Sequence, residues 1–169
     1  HLTLTQEALL TYNTNTKVVP PLRTEQDRQA LIRAVSDGVI TCISTDHAPQ
    51  NIADKELEFV YAQPGAVGLE LCFSLVVGLV HSGALSPTTA ISALTCGPAT
   101  VLQMEMGSLE VGATADIAIF DPTKSWTVSQ ETLSSLSWNT PLLGKELTGK
   151  CSVAVVDGEI RYQSQNEAN

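Results

Sequence analysis

The stretch Gly38-Val-Ile-Thr-Cys-Ile-Ser-Thr-Asp-His-Ala-Pro-Gln50 decides how the chain is read. Val39 to Ser44 is an apolar run with the length of a buried parallel strand, and it stops abruptly at Thr45-Asp46-His47. In α/β proteins, groups placed just past the carboxyl end of such a strand are the ones that do chemistry. Asp46 is therefore a candidate functional carboxylate. Its plainer alternative is an Asx residue that caps the loop.

Working outward, Thr24-x-x-Asp27 has the pattern of a helix cap, with the acid in the first turn where the macrodipole favours it. Leu31, Ile32 and Val35 share one face of that helix, and Gly38 closes it. Thr5-Gln6-Glu7-Ala8 suits a one-turn helix, and Tyr12 to Arg23 is a polar loop closed by Pro20-Pro21. Downstream, Asn51 to Gln63 is a charged loop ending at Pro64-Gly65. Leu69 to His81 reads as a helix buried on most sides and stopped near Gly83. Ser86-Pro87 supplies an N-cap and a first-turn proline for a helix through Leu94. Gly97-Pro98 then breaks the chain before a short helical piece, Ala99 to Leu102.

From Gly107 the composition turns towards β. Ile117 to Phe120 and Trp126 to Val128 are short strand-like runs, and Ser152 to Val156 and Glu159 to Tyr162 flank the hairpin signal Asp157-Gly158. The expected division is residues 1–106 as an α/β segment, 107–162 as a small β-rich domain with Trp126 and Trp138 in its core, and 163–169 as a frayed polar tail. Val39 to Ser44 is apolar on both faces and needs a strand on either side, yet the first segment offers no other. The expectation is that most of a parallel sheet lies upstream of His1. The lack of an initiator Met or signal sequence also suggests that the chain begins inside a longer protein.

Composition narrows the function classes. Of 169 residues, 43% are hydrophobic and 16% charged, and 9 Lys+Arg against 18 Asp+Glu leave a formal charge of −9. Nucleic acid and anionic membrane surfaces need a cationic face and are excluded as partners. No apolar run reaches membrane-spanning length. Cys42, Cys72, Cys96 and Cys151 form no Cys-x-x-Cys pair; Cys42 and Cys72 read as core residues, and a reducing, cytoplasmic setting is expected.

Three elements in order carry a resemblance: Lys17-Val-Val-Pro-Pro-Leu-Arg23, Ile43-Ser-Thr-Asp-His-Ala-Pro49 and Gly65-Ala-Val-Gly-Leu-Glu70. Gly107 to Asp121 and Trp138-Asn-Thr-Pro-Leu-Leu-Gly144 continue it. Over essentially its whole length the chain resembles the C-terminal part of type I dihydroorotases, of the amidohydrolase superfamily. The resemblance implies an α/β fold, the C-terminal fragment of a metal-dependent (β/α)8 barrel with part of a small β-sandwich. It implies reversible hydrolysis of dihydroorotate to carbamoyl aspartate in pyrimidine biosynthesis, with zinc as cofactor. Val39 to Ser44 matches the last barrel strand, and Asp46 the aspartate that contacts the metal and shuttles the proton. Gly65 matches a position whose backbone approaches the substrate.

His47 and His1 match positions that are not metal ligands in the family, and His81 sits on an apolar helix. With three histidines at no ligand spacing, the chain is not expected to bind zinc alone. Arg23 reads as a loop or ion-pair residue.

Two positions depart from the family. Gln50 stands where a histidine helps hold the substrate carboxylate, and Val19 where an asparagine reaches the substrate ring. Losing both contacts would cost about two to four decades in kcat/KM. Three readings follow: a dihydroorotase of which this is an inactive piece, a non-catalytic dihydroorotase-like scaffold for aspartate transcarbamoylase, or another cyclic amidohydrolase acting on hydantoins or allantoin. The isolated chain is expected to associate with itself or with a missing N-terminal half.

Overall fold

The computed structural model describes residues 1–164, so most of the expected polar tail lies outside the described residues. The first segment is helical. After short 3-10 turns at Gln6–Thr11 and Thr14–Thr16 come α1 (Glu25–Ser36), α2 (Ile52–Lys55), α3 (Cys72–His81), α4 (Pro87–Leu94) and α5 (Cys96–Leu102). Local chemistry sets several of these ends. Thr24 and Asp27 form a reciprocal capping box on α1, and Gly38 follows the helix with a φ of 74°. Ser86 accepts the Thr89 amide and Pro87 opens α4.

Several expectations need correction. Asn51 to Gln63 is not all loop, since Asn51 accepts the Ala53 amide and starts α2. Val39 to Ser44 is not a buried strand: it has no ladder partner among the described residues, and Val39 is 78% exposed. Its Ile40 and Ile43 still pack on the core of Ile32, Val35, Leu79, Leu85 and Ala93. The physical reason is the one the sequence raises, since a strand apolar on both faces cannot be covered from one side. The long apolar helix begins at Cys72 and not at Leu69, which is 62% exposed. His47 Nδ1 accepts the Gly68 and Leu69 amides there, and the Glu70 carboxylate is turned to another loop. Finally, Gly97-Pro98 does not break the chain but lies in the first turn of α5; the break falls at Thr95, with φ −127° and ψ −91°. A proline in a first turn loses no helical hydrogen bond.

The β-rich part is one antiparallel sheet in the order β1-β2-β3, with β1 (Ile117–Thr127), β2 (Glu146–Val156) and β3 (Glu159–Gln163). The two short runs expected at Ile117 and Trp126 are a single strand, irregular between Asp121 and Ser125. Asp157 and Gly158 both take positive φ (50° and 77°), as their hairpin turn requires. Of the expected small β-sandwich, the described residues supply this one sheet.

The sheet does not have a core to itself. Trp126, Val128 and Leu133 bury against Leu71 at the start of α3, with Trp138 partly buried beside them. Phe73 stacks on Phe120 at 3.6 Å between centroids. Gly149 has a φ of 98°, and a Cβ there would come within 3.2 Å of the Phe73 ring. α3 thus packs against strand backbone.

Candidate functional site

Asp46 sits at the tip of the 39–46 segment with a φ of 44°, a left-handed turn that Asp tolerates better than most residues. Its neighbour then pairs across: His47 bridges Ala66 in parallel, and the Ala48 amide donates to Ala66 O at 3.0 Å. The tip therefore lies alongside the Pro64-Gly65 turn. Between them is a cleft of about 180 Å³ lined by His1, Asp46, Gly65, Thr140, Pro141 and Leu142, among others.

The structure brings two of the four expected site residues to this cleft, Asp46 and Gly65. Asp46 is exposed, and among the described residues its carboxylate has no ion-pair partner. Gly65 is buried with a φ of 125°. A Cβ on it would stand 2.8 Å from Ala48 Cβ and 3.0 Å from Gln50 Nε2, so only glycine fits. Its amide donates to Lys17 O at 2.8 Å, and its carbonyl accepts from Lys55 and Asn139.

Gln50 is close to Gly65 but does not line the cleft. Its Nε2 donates to Pro64 O at 3.1 Å and closes the turn. Val19 is 65% exposed and also lies outside the lining. His1 Nε2 lies 2.7 Å from Pro20 O, which ties the first residue to the proline loop. His47 uses its ring as the acceptor for two amides.

Sequence reasoning missed two residues that build the site. Lys55 is only 6% exposed; its ammonium donates to Gln63 O at 2.8 Å and Gly65 O at 3.1 Å. Burial, and next the nearby Lys17 charge, push its pKa below the usual lysine value. The other is Asn139, whose carboxamide touches both cleft walls. The element Asn139-Thr140-Pro141 was legible as a motif but carried no assigned role.

Among the described residues, no group of three or more His, Cys, Asp and Glu side chains could hold a metal ion. Asp46 can give a metal one carboxylate and no more, so the residues present do not by themselves fit a zinc centre.

Comparisons with known proteins agree with this architecture. The model of the amidohydrolase family matches residues 1–161. The dihydroorotase of Citrifermentans bemidjiense is 42% identical over 164 residues, which is 97% of this chain and 39% of that protein. The dihydroorotase of Aquifex aeolicus is 41% identical over 96% of this chain and 38% of its own length. The chain thus spans about two-fifths of the curated relatives it matches. Among solved structures, the L-hydantoinase (dihydropyrimidinase) of Arthrobacter aurescens superimposes with a TM-score of 0.88 at 26% identity, covering 96% of this chain and 37% of that one. A D-hydantoinase structure gives 0.86 at 24% identity over 96% of this chain and 38% of its own, a likeness of fold. With the family model spanning nearly its whole length, the chain belongs to the amidohydrolase family as an α/β fragment of a barrel enzyme.

Proposed function

We propose that the whole protein containing this chain is a dihydroorotase-type cyclic amidohydrolase, opening dihydroorotate to carbamoyl aspartate and closing it again. The observation that carries this reading is Asp46, an exposed carboxylate in a left-handed turn at the end of the 39–46 segment, lining the cleft. There it acts as the general base that takes a proton from the attacking water and returns it to the leaving amide nitrogen. The zinc expected of such an enzyme needs ligands beyond Asp46, because among the described residues no group of three His, Cys, Asp or Glu side chains could hold a metal. The identity of 41–42% to dihydroorotases, against 26% to a hydantoinase, supports dihydroorotate over a hydantoin as substrate.

One observation favours a second reading, a non-catalytic scaffold partnering aspartate transcarbamoylase. Gln50 commits its side-chain Nε2 to Pro64 O and does not line the cleft, and Val19 lies outside the lining. The site therefore has its acid without two of the substrate contacts the family resemblance implies. A cytoplasmic setting suits both readings and suits four unpaired cysteines. The division into a barrel segment, 1–106, and a smaller β-rich domain, 107–162, belongs to the same proposal.

The test is to purify the full-length protein with zinc and follow dihydroorotate hydrolysis. Zinc-dependent turnover, even at the lowered rate expected of Val19 and Gln50, supports the hydrolase and sinks the scaffold. Absence of turnover, with co-purification of the transcarbamoylase, supports the scaffold and sinks the hydrolase.

A further inference from the structure

We propose that Asn139 is a positioning residue that sets the distance between the two walls of the Asp46 cleft. Its carboxamide is saturated. Nδ2 donates to Ala48 O at 3.2 Å on one wall and to Gly65 O at 3.0 Å on the other. Oδ1 accepts the Gln50 amide at 3.0 Å and the Ser137 hydroxyl at 2.7 Å. The backbone carbonyl of the same residue accepts the Val67 amide at 2.9 Å, just beyond Gly65. Both donor hydrogens and both acceptor positions of the amide are thus in use, and the residue is 5% exposed.

The geometry leaves the walls little slack. Gly65 approaches Ala48 so closely that no side chain fits between them. Asp46 leads directly into the segment that Asn139 grips through Ala48 and Gln50. The three residues after Asn139, namely Thr140, Pro141 and Leu142, line the cleft themselves. Ser137 strengthens the hold from the other side, its one hydroxyl hydrogen shared between Gln50 O at 2.6 Å and Asn139 Oδ1 at 2.7 Å. The latch therefore comes from the loop between β1 and β2, far along the chain from both walls. Asn139 touches no reacting group and acts only through the residues it spaces.

This inference deepens the reading of the same site and rests on it for the kinetic half of its test. The variants are Asn139→Ala and the milder Ser137→Ala, made in the full-length protein and compared by hydrogen exchange and by dihydroorotate hydrolysis. Amide exchange in residues 46–50 and 64–68 is expected to rise about tenfold in Asn139→Ala, and less in Ser137→Ala, with β1 and β2 unchanged. kcat is expected to fall about tenfold while KM moves less than about threefold, because a misplaced wall spoils geometry more than affinity. Exchange unchanged at both walls, or raised equally in β2 and α1, overturns the proposal. So does a local rise in exchange that leaves kcat untouched. If the unmodified protein shows no turnover, the hydrolase reading fails and the exchange result alone upholds or overturns the latch. Should Asn139→Ala fail to fold, Ser137→Ala decides by the same two readouts.

Discussion

The indole N–H of Trp126 lies 3.1 Å from Ser74 Oγ and 3.1 Å from Gly149 O, so one donor joins α3, β1 and β2 at a buried point. The Ser74 hydroxyl in turn donates to the same Gly149 carbonyl. Replacing Trp126 by Phe keeps most of the apolar area and removes the shared donor. Stability is expected to fall by about 1–3 kcal/mol, read from urea unfolding. Trp126→Ala is expected to cost about 3–5 kcal/mol, because it also empties the core of Leu71, Val128 and Leu133.

Asp46→Asn separates chemistry from folding. Asparagine also tolerates the left-handed backbone, and the side chain is exposed. Thermal unfolding should be nearly unchanged, whereas dihydroorotate hydrolysis by the full-length protein should drop by about two to four decades. Retained activity would remove Asp46 from the reaction.

Glu70 gives the fold an acid-sensitive tie. Burial alone would raise its carboxyl, but hydrogen bonds from the Ser135 hydroxyl and the Ser134 and Ser135 amides outweigh it and hold the pKa below the ordinary value of 4.5. The native state therefore binds this proton less readily than the unfolded chain. The stabilisation is complete above the ordinary value and is lost as pH falls through the lowered native one. Glu70→Gln is expected to cost about 1–2 kcal/mol near neutrality, with the gap to the unmodified protein shrinking in acid. Urea midpoints measured at descending pH would show it; a constant gap would contradict it.

The departures at Val19 and Gln50 predict a slow enzyme with an identifiable remedy. Val19→Asn with Gln50→His should raise kcat/KM on dihydroorotate by about two to four decades if both new groups reach the substrate. Because Gln50 closes the Pro64 turn, the double variant should also lose a little stability. No gain in rate would mean that the two positions do not limit the reaction.

Val39, exposed on an apolar segment with no strand beside it among the described residues, makes the chain prone to pair with another copy. Light scattering is expected to find a dimer or larger species, and Val39→Lys to shift it towards monomer. A monomer at all concentrations would count against pairing through this segment.

What could be read from the sequence follows the range of the interaction. The Thr24 capping box, the Ser86-Pro87 helix start and the Asp157-Gly158 turn depend on residues a few positions apart, and each stands where its local pattern puts it. Asp46 was legible as a carboxylate ending the Val39 to Ser44 run for the same reason, and the structure places it in a left-handed turn lining the cleft. Leu69 misled because apolarity alone does not start a helix when the His47 ring holds its amide. Val39 to Ser44 misled in the same way: its apolar run reads as a buried strand, but it forms no ladder among the described residues and only Ile40 and Ile43 pack on the core.

By itself the sequence determined the capped helix starts, the hairpin turn and the family resemblance, all of which rest on neighbouring residues or on motifs. Only the tertiary structure decided that Asn139 and Lys55 bind the Gly65 carbonyl, that Gln50 turns to Pro64 and that Trp126 joins the sheet to α3. Most of these bonds link residues far apart in the chain, and even the shorter links follow no periodicity. Each exists because a buried polar group must find a partner wherever the fold brings one.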